Sequence, residues 1–425
     1  MSSVPRPYGR AFETVQIKDV DDGEAFDCDE EPHMLTPEQG HGYYPLTLGQ
    51  QLKDGQLEIV RKLGWAGYSS VWLARTLKNS YPVQYVAVKV LTVNATAGVV
   101  RGLLGEVDAL LTIKKANPHH PGYKHCMVIY DTFIAKSHHG PHICIVTDVF
   151  GPDLTYIRSF LPAQRRFFPL ALTQRIIKQT LLALDYLHRE CKLVHTDVKP
   201  DNVLISLKDP SEAITRLLKE SPSSTYETRF EPDLSPDPII TVKSEPLGEL
   251  CAEQDALRNP DICLVDYGEA RSTKEQSSTQ AQPDLLRAPE VLLGHAWSAP
   301  VDVWSVGCLV FEYLTGTALF QLYETDSVSF DDVYLRRIAE FIGPFPPSFL
   351  QDCSLRTRFY DEQGNLLRMD KFVPRTMEAC LRNYKVLGEK DISAAAAFIR
   401  RCLTLDPRER PTALELLSDP WVKDA

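Results

Sequence analysis

The stretch Leu193-Val194-His195-Thr196-Asp197-Val198-Lys199-Pro200-Asp201-Asn202-Val203-Leu204-Ile205 sets four polar groups into eight residues between two apolar runs. Core formation does not account for such a loop, so it presents those groups to something else. Asp197 can accept a proton from an alcohol, Lys199 can neutralise a phosphoryl group in transfer, and Asn202 offers a neutral oxygen to a hard cation. Downstream, Ile262-Cys263-Leu264-Val265-Asp266-Tyr267-Gly268 sets a carboxylate at a strand end, where it can bind Mg2+ bridging nucleotide phosphates. In isolation, Asp-Tyr-Gly would mean only a turn.

Two upstream segments suit the same chemistry. Leu63-Gly64-Trp65-Ala66-Gly67-Tyr68-Ser69-Ser70-Val71 falls where one strand turns into the next, and a hairpin of this kind can lay backbone N–H groups over phosphates. A hairpin without a ligand is the alternative. Val86-Ala87-Val88-Lys89 then places a lysine in an apolar strand, with Glu106 following on an amphipathic segment. A buried lysine needs an anionic partner, and a carboxylate from a facing helix can aim it at phosphates. A lysine snorkelling from an edge strand is the competing reading.

The elements that must carry these groups are legible in outline. Leu57–Leu63, Ser70–Arg75 and Tyr85–Leu91 are short β-like runs rich in β-branched and aromatic residues, which predicts an antiparallel sheet. Residues 101–115 and 171–190 space their apolar side chains by three and four, as amphipathic helices do. After Pro300 the chain reads as mostly helical. Residues 1–45 carry an acidic run ending Asp27-Cys-Asp-Glu-Glu and read as a mobile tail, and 206–260, rich in Ser, Pro, Glu and Asp, reads as a disordered insert. Residues 46–150 and 151–425 are then a β-rich and a helical lobe.

The chain has 425 residues, 44% of them hydrophobic and 24% charged, which is ordinary globular composition. A formal net charge of −11 argues against a general nucleic-acid binder and favours basic partners. No stretch approaches the roughly 20 apolar residues that cross a bilayer, and the N-terminus lacks the apolar core of a secretory signal. The expectation is a monomer in the cytoplasm, the nucleus or both, without membrane association. Ten scattered cysteines with no Cys-x-x-Cys pair indicate small buried hydrophobes rather than zinc ligands or disulfides.

With these residues in place, the chain resembles the eukaryotic protein kinases over about residues 46–422, the insert excluded. It looks most like the SR-protein kinases. The likeness rests on Gly42-Tyr-Tyr-Pro-Leu-Thr-Leu-Gly, Arg61-Lys-Leu-Gly-Trp with Ser69-Ser-Val-Trp-Leu, the His195-Thr-Asp-Val-Lys-Pro-Asp-Asn loop, the insert that follows it, and Pro289-Glu-Val-Leu-Leu-Gly. The resemblance implies an α+β, two-lobed kinase fold with a small antiparallel sheet and one helix in the first lobe and a larger helical second lobe. It implies an enzyme that transfers the γ-phosphate of ATP, with Mg2+, to serine or threonine in protein substrates rich in Arg and Ser. An ATP-binding pseudokinase or scaffold is the alternative.

Residue by residue, Lys89 would hold the α- and β-phosphates and pair with Glu106, Asp197 would be the catalytic base, Lys199 would steady the γ-phosphate, and Asn202 with Asp266 would hold the metal. Thr147 would stand at the back of the adenine pocket beside Ala87, with the carbonyl of Asp148 and the N–H of Phe150 toward adenine. Asp302 would brace the catalytic loop, and Glu290 would pair with Arg410.

Departures also carry information. Ala66 and Ser69 stand at two glycine positions of the phosphate loop. Gln282-Pro283-Asp284-Leu285-Leu286-Arg287 replaces Gln-Thr-Arg-Gln-Tyr-Arg, so the threonine hydroxyl that bonds the catalytic aspartate is gone and an acid replaces a base. Thr196 stands where phosphorylation-activated kinases have arginine, which predicts activity independent of phosphorylation at Ser272, Thr273, Ser277, Ser278 or Thr279. Glu324, Asp326, Asp331 and Asp332 are either a helix cap or a docking site for Arg-Ser segments.

Overall fold

The computed structural model describes residues 30–161, 166–231, 238–248, 250, 259–274, 281–323, 328–368 and 373–425. The chain divides into two compact units: residues 1–114, 127–152 and 205–257 form the first, and residues 115–126, 153–204 and 258–425 the second.

In the first unit, the short β-branched and aromatic runs pair into a six-stranded antiparallel sheet. Its strands are β1 (Gln51–Leu52), β2 (Leu57–Ala66), β3 (Ser69–Thr76), β4 (Tyr85–Leu91), β5 (Ile129–Ser137) and β6 (Gly140–Thr147), in the order β1-β2-β3-β4-β6-β5. Alternation sends Ile59, Trp72, Ala74, Val86, Val88, Val90 and Val146 into one apolar cluster. Lys89, one step out of that alternation on β4, belongs to the opposite face and lies in register with Val71 of β3 and Ile145 of β6. Helices α1 (Val93–Val100) and α2 (Glu106–Lys115) follow β4. The helix expected over 101–115 starts only at Glu106, because Arg101 caps α1 and Gly102 turns the chain with φ +70°.

The expectation of disorder over 206–260 fails for its described residues. Ser211–Glu220 is a helix whose Ile214 and Leu217 are buried with Leu73, Tyr85, Val149, Leu247 and Leu250. Burying one such side chain contributes about 2 kcal/mol, which holds a ten-residue helix that would be marginal alone. Antiparallel bridges Thr225–Val242 and Arg229–Ile239 and a parallel bridge Lys62–Ser244 continue the packing. The described residues of the insert, up to Leu250, therefore belong to the first unit, not to the second lobe as the boundary at 151 implied.

The tail reading fails in the same way at its end. Glu30 and Glu31 are buried against the Lys62 ammonium, which lies 2.7 Å from Glu30, while residues 1–29 lie outside the described residues. Glu30 also accepts 2.6 Å hydrogen bonds from the backbone N–H and the hydroxyl of Ser244. Desolvation by burial pushes the Glu31 carboxyl up to about 7 although Lys62 pulls it down.

The second unit is helical. Its helix Pro300–Thr315 is buried from Val301 onward, as expected of a helix apolar on all sides. Helix Glu389–Cys402 approaches it so closely at Gly307 that a Cβ there would stand 2.7 Å from that of Cys402. Glu290 and Arg410 form a two-pronged ion pair of 2.7 and 2.9 Å with neither side chain exposed. Among the described residues the eight cysteines are free and buried, and no helix is long and apolar enough to cross a membrane.

Candidate active site

One buried carboxylate fixes the loop that begins at His195. Asp302, in the first turn of helix Pro300–Thr315, accepts the N–H groups of His195 and Thr196 at 2.8 Å each, and His188 Nε2 lies 2.8 Å from the same carboxylate. Hydrogen bonds to a charged group are worth about 1.5–3 kcal/mol apiece, enough to offset the left-handed φ of +68° at Thr196. The Thr196 hydroxyl donates to the Glu269 carbonyl at 2.9 Å. The residue before Asp197 is thus already tied to the chain just past Asp266.

His195 joins the segments that carry Asp197 and Asp266. Its Nδ1 accepts the Asp197 N–H at 3.2 Å and its Nε2 donates to the Val265 carbonyl at 3.0 Å. The Val265 N–H in turn donates to the Asn202 carbonyl at 3.0 Å. These bonds staple the strand end that carries Asp266, itself left-handed with φ +65°, to the loop that carries Asp197.

Lys199 Nζ lies 2.7 Å from Asp197 Oδ2, and Asn202 Nδ2 donates to that oxygen and to the Asp197 carbonyl, both at 2.8 Å. The two amide protons of Asn202 are thereby committed, so its Oδ1 is the atom it has to offer a cation. Asp197, Lys199, Asn202 and Asp266 all belong to the second unit.

The first unit holds the remaining candidates. Lys89 Nζ and Glu106 Oε1 are 2.5 Å apart, Glu106 being buried and Lys89 partly exposed, so Lys89 is paired rather than snorkelling. Ala87 and Thr147 are cross-strand neighbours, both buried. The Thr147 hydroxyl donates to the Asp148 carbonyl at 3.0 Å, and Phe150 opens the next strand.

The hairpin Leu63–Val71 turns through Gly67 and Tyr68, with Ala66 opposite Ser69 and a bulge between Lys62 and Gly64. Neither Ala66 nor Ser69 has positive φ, so their departure from glycine brings no backbone strain. Ser69 and Ser70 are buried, and the Ser70 hydroxyl accepts from the Trp72 indole at 2.9 Å. What the hairpin offers a phosphate is therefore chiefly its backbone.

The divergent segment before Arg287 is well anchored. Gln282, left-handed at φ +66°, bonds Leu286, Val301, Ser305 and Ala288 through its amide. Arg287 pairs with Asp284 at 2.6 Å, and the Asp284 side chain is 78% exposed. Of the acidic cluster, Asp332 caps its helix with Ser329 and pairs with Arg368 at 2.7 Å, whereas Glu324 and Asp326 lie outside the described residues. Asp332 is buried and resists ionisation on that account, but hydrogen bonds from Arg368 and Ser329 win and hold its carboxyl below the usual range.

Sequence reasoning missed three features: the Glu30–Lys62–Glu31 cluster, the hydrogen bond from Tyr130 to the Asp148 carboxylate, and that from Tyr43 to the Ala66 carbonyl. Each joins residues distant in sequence, and no local pattern marks them.

A family profile described as the protein kinase domain matches residues 57–218 and 250–422. The serine/threonine-protein kinase SRPK of Physarum polycephalum is 30% identical over 414 residues, covering 95% of this chain and 94% of that protein. The chain belongs to the SR-protein kinase family. Protein kinase dsk1 of Schizosaccharomyces pombe is 26% identical, covering 90% and 83% of the two chains, and SRSF protein kinase 3 of Mus musculus is 24% identical, covering 90% and 88%. This member of the family is accordingly a serine/threonine protein kinase that uses ATP and a divalent cation and acts on protein substrates.

Proposed function

We propose that the kinase phosphorylates serine, or threonine, in basic Arg/Ser-rich protein segments, with Mg2+ as the cation and without prior phosphorylation of its activation segment. The observation that carries the reading is the engagement of Asp197 Oδ2 by both Lys199 and Asn202. One carboxylate oxygen is held by the loop, and the other, Oδ1, receives the proton of the substrate hydroxyl. Lys199 stays close enough to balance charge on the phosphoryl group as it moves, while Lys89, aligned by Glu106, holds the α- and β-phosphates.

Asn202 Oδ1 and the Asp266 carboxylate are hard oxygen donors of the kind Mg2+ takes, and they would hold it. When bound it neutralises phosphate charge. Preference for basic substrates is supported by the net charge of −11 and by the exposed Asp284 beside Arg287. Activity without a phosphorylated segment is supported by Thr196, bonded to Glu269, and by the pairing of Arg271 and Ser272 with Val194 and Leu193. A monomer in the cytoplasm, the nucleus or both, with no direct nucleic-acid partner, completes the proposal.

The test is phosphate transfer from Mg-ATP to an Arg-Ser peptide by three proteins: wild type, Asp197→Ala, and a variant with alanine at Ser272, Thr273, Ser277, Ser278 and Thr279. Asp197→Ala is expected to lose at least about a hundredfold in turnover, as removal of a general base does. The five-alanine variant is expected to keep wild-type turnover. Equal transfer by wild type and Asp197→Ala excludes the assigned base, and a tenfold loss in the five-alanine variant excludes independence from phosphorylation.

A further inference from the structure

The phosphate hairpin is gripped from behind by chain that precedes the sheet. Tyr43, 1% exposed, donates its hydroxyl to the Ala66 carbonyl at 2.8 Å, and its ring meets Trp65 edge-on at 6.1 Å. Tyr43 is itself held: the Val93 N–H donates to the Gly42 carbonyl at 2.9 Å, and the Asn94 amide to the Pro37 carbonyl at 2.8 Å. On the far side of the turn the Tyr68 carbonyl accepts the Thr92 N–H at 2.9 Å. At the root of the hairpin, Glu30 and Glu31 clamp Lys62.

A trans peptide unit points its C=O and its N–H in opposite directions. The carbonyl of Ala66 and the N–H of Gly67 belong to one such unit, and the structure has no cis peptide among its described residues. Bonding that carbonyl to Tyr43 therefore turns the Gly67 N–H to the other side of the hairpin. We propose that Tyr43 is a positioning residue, which aims the Gly67 amide at the nucleotide phosphates and replaces by tethering what additional glycines would supply by freedom. This rests on reading Leu63–Val71 as the phosphate-covering hairpin.

The test uses the full chain and compares Tyr43→Phe, which keeps the ring and its packing, with wild type. Affinities for Mg-ATP and for adenosine are measured by calorimetry. Losing one hydrogen bond worth about 1 kcal/mol is expected to weaken ATP about fivefold while adenosine binds as before. Parallel weakening of both ligands assigns Tyr43 a purely structural role and overturns the proposal, as does an unchanged ATP affinity. A wild type that binds adenosine as tightly as ATP refutes the hairpin reading itself, and that result is visible without the variant.

Discussion

Each unit buries a cation, and the two are treated differently. In the second unit Arg410 meets one carboxylate, Glu290, through two parallel bonds; two more of its donors reach the carbonyls of Thr404 and Pro300, and its guanidinium lies 5.2 Å over the Trp304 ring. In the first unit the Lys62 ammonium meets two carboxylates, Glu30 and Glu31, near the Trp72 ring. One charge against one is a balanced pair. Two acids against one base leave a surplus, and burial expresses it as a Glu31 carboxyl near pH 7.

The largest effect is expected from breaking the matched pair. Arg410→Met strands a fully buried carboxylate at Glu290 and should cost about 3–5 kcal/mol, read as a shift in the urea midpoint. A shift below about 1 kcal/mol would mean that the pocket admits water and the pair is not dry.

The unmatched cluster is expected to respond to pH. The raised carboxyl of Glu31 means that the folded state holds a proton the unfolded chain releases, so its contribution to stability falls as pH rises from the ordinary carboxylate value of 4.5 to about 7. His33 has the opposite sign: burial and the Lys62 charge lower it from 6.5 to about 4, so its contribution rises with pH through that window. In wild type the two slopes oppose each other. Glu31→Gln removes one of them, and unfolding free energy should then climb by up to about 3 kcal/mol between pH 4 and 6.5. A flat profile in the variant would refute the assignment.

The smallest effect belongs to Asp332, matched one to one but with a partner, Arg368, whose side chain is 37% exposed. Asp332→Asn keeps the cap and should cost about 1 kcal/mol at neutral pH, less at high salt. Because the native carboxyl is held low, wild type and variant should converge as pH falls through its depressed pKa.

The polar loop His195–Asn202, the Lys89–Glu106 pair and the sheet were legible because their information is local: polar groups where packing cannot explain them, and alternation of period two. The insert and the N-terminal segment were not. Ile214, Leu217, Val242, Leu247 and Leu250 are too sparse among Ser, Pro and Glu to suggest a core, yet each packs with residues of a sheet built elsewhere in the chain. Lys62 reads in sequence as one more polar residue of a strand, and nothing nearby announces two acids some thirty residues upstream. The start of α2 was misplaced because Leu103 and Leu104 continue a helical spacing that Gly102 interrupts.

The family match begins at Leu57, but the folding unit does not. A shortened protein started there would lack β1, Tyr43, Glu30 and Glu31, and with them both counter-charges of the Lys62 ammonium and the bond that holds the Ala66 carbonyl. Such a fragment is expected to collect in the insoluble fraction on expression, whereas one that keeps Glu30 and Glu31 retains the Lys62 cluster.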